Sequence, residues 1–367
     1  MTQSSRVSEY QRSDGPVLEL LPFYCPIEAA VHPEFDAIEQ ACISWIDDYQ
    51  LYFDDQQRSR LIGTRAALIY SMALPNAEAE KVADVAKWLY WGFATDDLYY
   101  DNGPTSKSSE SFLQLAAQLV RICEEPRARF PQEVPYSDSL RDLVKAITRH
   151  ATPLQTLEWA STARAWFFGM AWDVSNTSSG RTPSINDYLM MRMHTGGLAS
   201  WVTTLNIAQG VEILPKEAAG GPVRALIEAW STFALLINDI SSYAKERRNG
   251  DSSSNIISVI ANERDRRPQE AVREAYALCD AIARLYMTLR DRIHSTASDN
   301  LRKCIENLDH TWRGIIEWGF LAARYNVDLE TGEHFQQFPG WISIPRSTNL
   351  EVLPYPAISW WWDELEN

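Results

Sequence analysis

Residues 93–101 read FATDDLYYD. Three carboxylates, Asp96, Asp97 and Asp101, stand there among aromatic and apolar side chains. Like charges repel, so such a cluster on an apolar surface calls for a cation. Asp101 follows Asp97 by one helical turn, and Phe93 and Leu89 share a helix face with Asp96. The result is a carboxylate rim above an aromatic wall, and hard oxygen ligands of this kind suit Mg²⁺. Two other pairs, Asp47-Asp48 and Asp54-Asp55, have no third acid one turn on and read as solvated surface.

A second constellation lies at residues 237–246, INDISSYAKE. Asn238, Ser242 and Glu246 fall at i, i+4 and i+8, on one helix face. They offer an amide oxygen, a hydroxyl and a carboxylate to one hard cation, and Lys245 beside them can meet an anion carried by it. The preceding Phe233–Ile237 run is apolar, so this rim also crowns a buried helix. A third feature is MRMHTGGLASW, where Arg192 precedes Gly196-Gly197. Paired glycines open a helix and leave a backbone carbonyl for other partners. The fourth is Arg324-Tyr325, where helical periodicity ends.

The elements that must position these groups are helical. Apolar residues recur at helical spacing over Pro33–Leu51 and Ala77–Tyr100, with Asn76 an expected N-cap of the latter. Further helices are predicted over Ser109–Glu124, Ser137–His150, Pro153–Trp172, Ser184–His194, Ala218–Arg247, Pro268–Ser295 and Asn300–Tyr325. Alternating strands, internal repeats and long linkers are absent from the pattern. The expectation is an all-α single-domain bundle with a central cavity over residues 26–326. Residues 1–25 read as an N-terminal tail. Residues 327–367, rich in Pro and Trp, read as a C-terminal tail that either packs over an opening of the bundle as a lid or stays loose.

Composition narrows the function. A net charge of −15 argues against nucleic acid and anionic membrane surfaces as partners. No apolar run approaches the ~18 residues of a membrane span. The N-terminal stretch lacks the apolar region of a secretory signal. Five scattered cysteines, none in a CxxC pair, predict reduced thiols and a cytoplasmic location. Most of the 14 tryptophans read as core, and aromatics this abundant also suit the walls of a pocket.

Taken together, the four features resemble a class I terpene synthase (terpene cyclase) of the microbial, single-domain type, from Pro26 to Tyr325. The resemblance implies Mg²⁺-dependent ionisation of a linear prenyl diphosphate, farnesyl diphosphate first and geranylgeranyl diphosphate second, followed by cyclisation to a hydrocarbon or alcohol. It implies three Mg²⁺ ions and a metal set of Asp96, Asp97, Asp101, Asn238, Ser242 and Glu246. Within that set Asp96 serves two ions and Asn238, Ser242 and Glu246 the third. Asp97 and Asp101 support arginines or metal-bound water. Arg192 matches the family's diphosphate-sensing arginine, with Thr195 and Gly196 in the linker and effector positions that follow. Lys245, Arg324 and Tyr325 match its diphosphate donors, and Phe93, Trp201 and Trp318 its pocket aromatics. The linker is often acidic in relatives and is threonine here. A chain-elongating prenyltransferase is the nearest rival, but such enzymes usually carry two aspartate-rich motifs. A protonation-initiated cyclase would need a DxDD motif, which is missing. A non-catalytic helical binding protein would have no use for the intact set. A homodimer is compatible with the resemblance.

Overall fold

The computed structural model describes residues 18–101, 104–249, 253–327, 334, 336–346 and 349–366. The N-terminal tail read over residues 1–25 lies mostly in residues 1–17, outside the described part. In chain order the helices begin α1 (Phe35–Asp48), α2 (Asp55–Ile62), α3 (Ala66–Ala73), α4 (Ala79–Thr95), α5 (Ser109–Glu124), α6 (Ser137–Thr148), α7 (Pro153–Ser178) and α8 (Ile185–Thr195). They continue α9 (Leu198–Gln209), α10 (Pro215–Ala218), α11 (Gly221–Asn249), α12 (Ile256–Arg264), α13 (Pro268–His294), α14 (Asp299–Leu321), α15 (Ala323–Asn326) and α16 (Trp360–Asp363). The long helix α11 packs against α8, α13 and α14, and its Trp230 and Phe233 are fully buried. Two fully buried aromatic residues at one helix level each remove ~150–250 Å² from water and anchor the bundle there.

Local chemistry sets the boundaries. The Thr152 hydroxyl accepts from the Gln155 N–H, the Gln155 side chain accepts from the Thr152 N–H, and Pro153 fills the first helical position. This capping box starts α7, which runs to Ser178, six residues past its predicted end. The expected cap of α4 is corrected. Residues 74–77 form a turn, with Ala77 N–H donating to Leu74 O, and the N-cap position falls to Glu78 without a side-chain bond. Asn76 therefore stands ahead of the helix. At its other end α4 widens into a π-helical turn, Asp96–Asp101, a feature that concentrates at functional sites.

The flanking segments join the same core. Strand β1 (Phe23–Tyr24) pairs in parallel with β2 (Trp341–Ile342), Phe23 opposite Trp341. Two-residue strands are too short to show alternation, which is why the sequence pattern did not predict them. The Arg313 guanidinium covers the Trp341 ring at 3.7 Å, and Arg346 bonds Asp280 at 2.9 Å. Farther on, Tyr355 OH accepts from Arg264 at 2.9 Å, and Ile358 and Trp361 are fully buried. The packed unit is therefore wider than residues 26–326. Its C-terminal segment binds α11, α12 and α13, and none of its described residues lines the cavity.

Candidate active site

A cavity of about 680 Å³ opens between α4, α7, α8, α9, α11 and α14. Phe93, Asp96, Arg192, Gly196, Trp201, Asn238, Lys245, Glu246, Trp318, Arg324 and Tyr325 all line it. Asp97 and Ser242 stand just behind its surface, each bonded to a residue or segment that does line it. Asp101 closes the π-helical turn, and its side chain lies outside the described part.

One rim is the end of α4. Asp96 faces the cavity, and its Oδ2 is 3.4 Å from Arg324 NH2. Asp97 takes the same guanidinium closer, at 2.8 Å. Burial works against the charge of Arg324, but Asp97 and Asp96 hold its proton affinity above the usual arginine range. Tyr325 is pushed up to about 12 by burial, so its hydroxyl stays protonated and can donate.

The opposite rim is the end of α11. Asn238 Oδ1 accepts from Arg192 NH2 at 3.0 Å, and Arg192 Nε donates to Asp239 at 3.0 Å. Asp239 also accepts from Tyr188 OH at 2.5 Å. Burial raises Asp239 above the usual carboxylate range, with Arg192 and Tyr188 pulling it back. Glu246 is enclosed at the foot of this rim. Burial pushes it up to about 7, while Ser242 and the Asn255 amide, at 2.9 Å from Oε2, favour its charged form. Lys245, beside Glu246 on α11, lies 5.9 Å from the centre of the Tyr325 ring.

Between the rims the chain breaks. α8 stops at Thr195, Gly197 adopts φ +66°, and α9 begins at Leu198. A left-handed residue at this point requires glycine. The freed Thr195 carbonyl accepts from Trp166 Nε1 at 3.0 Å. Thr195 Oγ1 accepts from Arg192 at 3.3 Å, so the non-acidic linker still touches the arginine.

The floor is aromatic. Phe93 and Trp318 stack with centroids 6.0 Å apart, Tyr325 meets Trp318 edge-on, and Trp201 leans on Tyr70 at 3.9 Å. Trp88 and Trp166 add two more faces at 5.2 Å and 76°. Such faces stabilise a cation without attacking it.

The oxygen donors fit a hard cation. Among the described residues no three His, Cys, Asp or Glu side chains cluster as a closed metal cage. The donors are one carboxylate on the α4 rim and a mixed carboxylate, amide and hydroxyl set on α11. Mg²⁺ uses one or two carboxylates and completes its octahedron with water and substrate phosphate oxygens, which matches this sparse, split set.

Sequence reasoning missed several residues that hold the site. Tyr188 sits one turn before Arg192, and Asp239 directly follows Asn238, so helical spacing was a signal for both. Asn255, Asp173 and Ser254 reach the site only through long-range packing and had no local signal.

The model of terpene synthase family 2, C-terminal metal binding, matches residues 87–284. The (+)-(1(10)E,4E,6S,7R)-germacradien-6-ol synthase of Streptomyces pratensis is 32% identical over 94% of this chain and 96% of its own length. Spiroviolene synthase of Streptomyces violens is 29% identical over 95% and 97%. The crystal structure of the SVS_A2 protein, from ancestral sequence reconstruction, superposes with a TM-score of 0.84 at 31% identity, covering 94% of this chain and 99% of that one. With more than half of its residues under the family model and nearly all of them aligned to terpene synthases, the chain belongs to terpene synthase family 2 and is a class I terpene cyclase.

Proposed function

We propose that this cyclase ionises farnesyl diphosphate, with geranylgeranyl diphosphate the second choice, and closes the resulting allylic cation into a terpene hydrocarbon or alcohol. The observation that carries the reading is the set of groups that a single cavity brings together. Arg192, Lys245, Arg324 and Tyr325 line the same cavity as the oxygen donors Asp96, Asn238 and Glu246 and the rings of Phe93, Trp201 and Trp318.

When bound, three Mg²⁺ ions neutralise the charge that develops on the departing diphosphate. Asp96 would hold two, and Asn238, Ser242 and Glu246 the third. The chain's own donors do the rest of the anchoring. Arg192 and Arg324 present planar forks to phosphate oxygens, and Lys245 adds a point charge. Tyr325, protonated throughout the neutral range, donates its hydroxyl. The allylic C–O bond breaks, the electron pair leaves with diphosphate, and the cation remains facing Phe93, Trp201 and Trp318. Exclusion of water by these rings lets ring closure precede quenching. The last step is proton loss, giving a hydrocarbon, or capture of one water, giving an alcohol.

The volume admits both a C15 and a C20 chain within the ~300–1,000 Å³ of small-molecule sites. Farnesyl diphosphate ranks first because five bulky rings, Trp88, Phe93, Trp166, Trp201 and Trp318, narrow the floor. Chain elongation is not favoured, since the second rim is an Asn/Ser/Glu set. All five cysteines are free and buried, in keeping with the reducing compartment to which we assign the enzyme, the cytoplasm. The test is incubation with Mg²⁺ and C10, C15 or C20 diphosphates separately, followed by gas chromatography–mass spectrometry. A cyclic product from the C15 substrate supports the reading. A longer diphosphate formed with isopentenyl diphosphate, or no turnover of any of the three, overturns it.

A further inference from the structure

Asp173, on α7, is buried and lines the cavity, yet it belongs to neither metal motif. Its Oδ2 accepts from Tyr100 OH, and its Oδ1 accepts from Ser254 Oγ. These donors come from opposite rims. Tyr100 lies in the π-helical turn that carries Asp96 and Asp97. Ser254 lies in the connection between α11 and α12, next to Asn255.

From Ser254 the network runs into the second rim. The Ser254 carbonyl accepts from Tyr188 OH at 3.1 Å, and Tyr188 OH also reaches Asp239 at 2.5 Å. The neighbouring Asn255 amide donates to Glu246 Oε2 at 2.9 Å and to Asp239 O at 2.8 Å. Asp239 in turn receives Arg192. One buried carboxylate thus joins the acidic turn at the end of α4 to the groups that orient Glu246 and Arg192.

We infer that Asp173 is a positioning residue that sets the spacing between the two metal-bearing rims, acting through Tyr100 on one side and Ser254–Asn255 on the other. The physical reason is geometric. The two rims reside on elements remote in sequence, α4 and α11, and a bridging diphosphate–metal assembly binds well only if its ligands start at the right separation. A helix wall alone leaves the loop after α11 and the turn after α4 to adjust independently. A two-oxygen acceptor anchored on the long rigid α7 holds both. Outer partners of this kind alter metal affinity by about 10–100-fold when removed. The inference rests on the cyclase reading above, and its test separates the two.

The test is isothermal titration calorimetry of the full chain with inorganic diphosphate in the presence of Mg²⁺. Wild type is compared with Tyr100→Phe, Ser254→Ala, Asp173→Asn and Asp173→Ala, and each variant's Mg²⁺ requirement for turnover of farnesyl diphosphate is also measured. Tyr100→Phe and Ser254→Ala each remove one hydroxyl and are expected to weaken Mg²⁺–diphosphate binding about threefold to tenfold. Asp173→Ala is expected to weaken it about tenfold or more. The Mg²⁺ concentration for half-maximal turnover should rise in step, while kcat at saturating Mg²⁺ stays within about threefold. In the Asp173→Ala background the other two substitutions should add nothing, because their shared acceptor is gone. Should Asp173→Ala fail to fold, the two hydroxyl variants carry the test alone. Unchanged binding in Tyr100→Phe and Ser254→Ala beside an active wild type overturns the role of Asp173. A wild type that neither binds Mg²⁺–diphosphate nor turns over any prenyl diphosphate overturns the cyclase reading instead.

Discussion

Arg324 is the counter-ion of the acidic motif: its NH2 lies 2.8 Å from Asp97 Oδ1 and its guanidinium carbon 4.8 Å from the centre of the Phe93 ring. The same nitrogen is 3.4 Å from Asp96, which faces the cavity. We propose that the two adjacent acids divide the work, Asp97 orienting the arginine and Asp96 serving metal. Asp97→Asn is expected to loosen Arg324, raising KM about tenfold with kcat changed only a few-fold. Asp96→Asn is expected to lower kcat about a hundredfold or more, since charge stabilisation in the transition state is lost. Steady-state kinetics distinguish them, and equal losses in kcat would contradict the division.

On the proposed reading, Glu246 makes metal binding pH-dependent. Burial raises it to about 7 in the metal-free chain, above its value in the unfolded chain. The folded state therefore binds this proton more tightly than the unfolded one. The stability it contributes is full below the ordinary carboxylate range and is lost as pH rises through about 7. Mg²⁺ needs the ionised carboxylate, so binding must expel the proton below that value and not above it. Thermal stabilisation by Mg²⁺ with inorganic diphosphate should grow between about pH 6 and about pH 8. Glu246→Gln should flatten that dependence. Melting curves across the range check both outcomes.

Gly196 is closely approached by Leu235. A Cβ built there falls 2.0 Å from Leu235 Cδ2 and 2.9 Å from Cδ1. Leu235 is buried but lines the cavity, so a methyl group at Gly196 pushes its side chain toward the substrate space. Gly196→Ala is expected to cost about 1–3 kcal/mol and to impair turnover, because the strained segment directly follows the helix bearing Arg192. Adding Leu235→Ala should return much of the lost stability. Denaturation of the single and double variants checks this, and a fully stable, fully active Gly196→Ala would contradict it.

The legible part of this molecule is the part written at short range. Asn238, Ser242 and Glu246 are spaced by single helical turns within α11, so their common face follows from sequence alone. Ser109–Glu124 was bounded correctly because the polar cap Ser108 precedes a strongly amphipathic run. What failed depended on tertiary partners. The exception is the cap assigned to Asn76, which lost to a local turn over residues 74–77. The pairing of Phe23 with Trp341 joins opposite ends of the chain. The Asp173–Ser254 and Arg192–Asp239 bonds each cross between separate helical regions, and no local period announces them.

Trp318 ties cavity shape to the bundle. Its ring stacks on Phe93 at 6.0 Å, and its Nε1 donates to the Thr64 carbonyl at 2.7 Å. Trp318→Ala should shift products toward linear or incompletely cyclised alcohols, because space opens for water beside the cation. Trp318→Phe keeps an aromatic face but orphans the buried Thr64 acceptor, at about 1–3 kcal/mol. Gas chromatography–mass spectrometry and melting curves read the two effects separately, and an unchanged product profile in Trp318→Ala would remove the residue from the pocket wall.

The Trp-rich segment near the C-terminus acts on stability. Trp361 is fully buried, and its Nε1 donates to Glu228 Oε2 on α11 at 2.9 Å. Ala357 N–H donates to Asn186 Oδ1 in the first turn of α8, also at 2.9 Å. The segment therefore clamps the helix of Arg192 to the helix of Asn238 from outside the cavity, which none of its described residues lines. Trp361→Ala removes a large buried ring and strips the half-buried Glu228 of its indole donor. The expected loss is about 3–5 kcal/mol, with the product distribution retained in the fraction that stays folded. A denaturant midpoint and a product profile on the same sample decide the matter. Lowered stability with the same products fits a clamp, whereas unaltered stability with new products would place this segment over the mouth of the cavity.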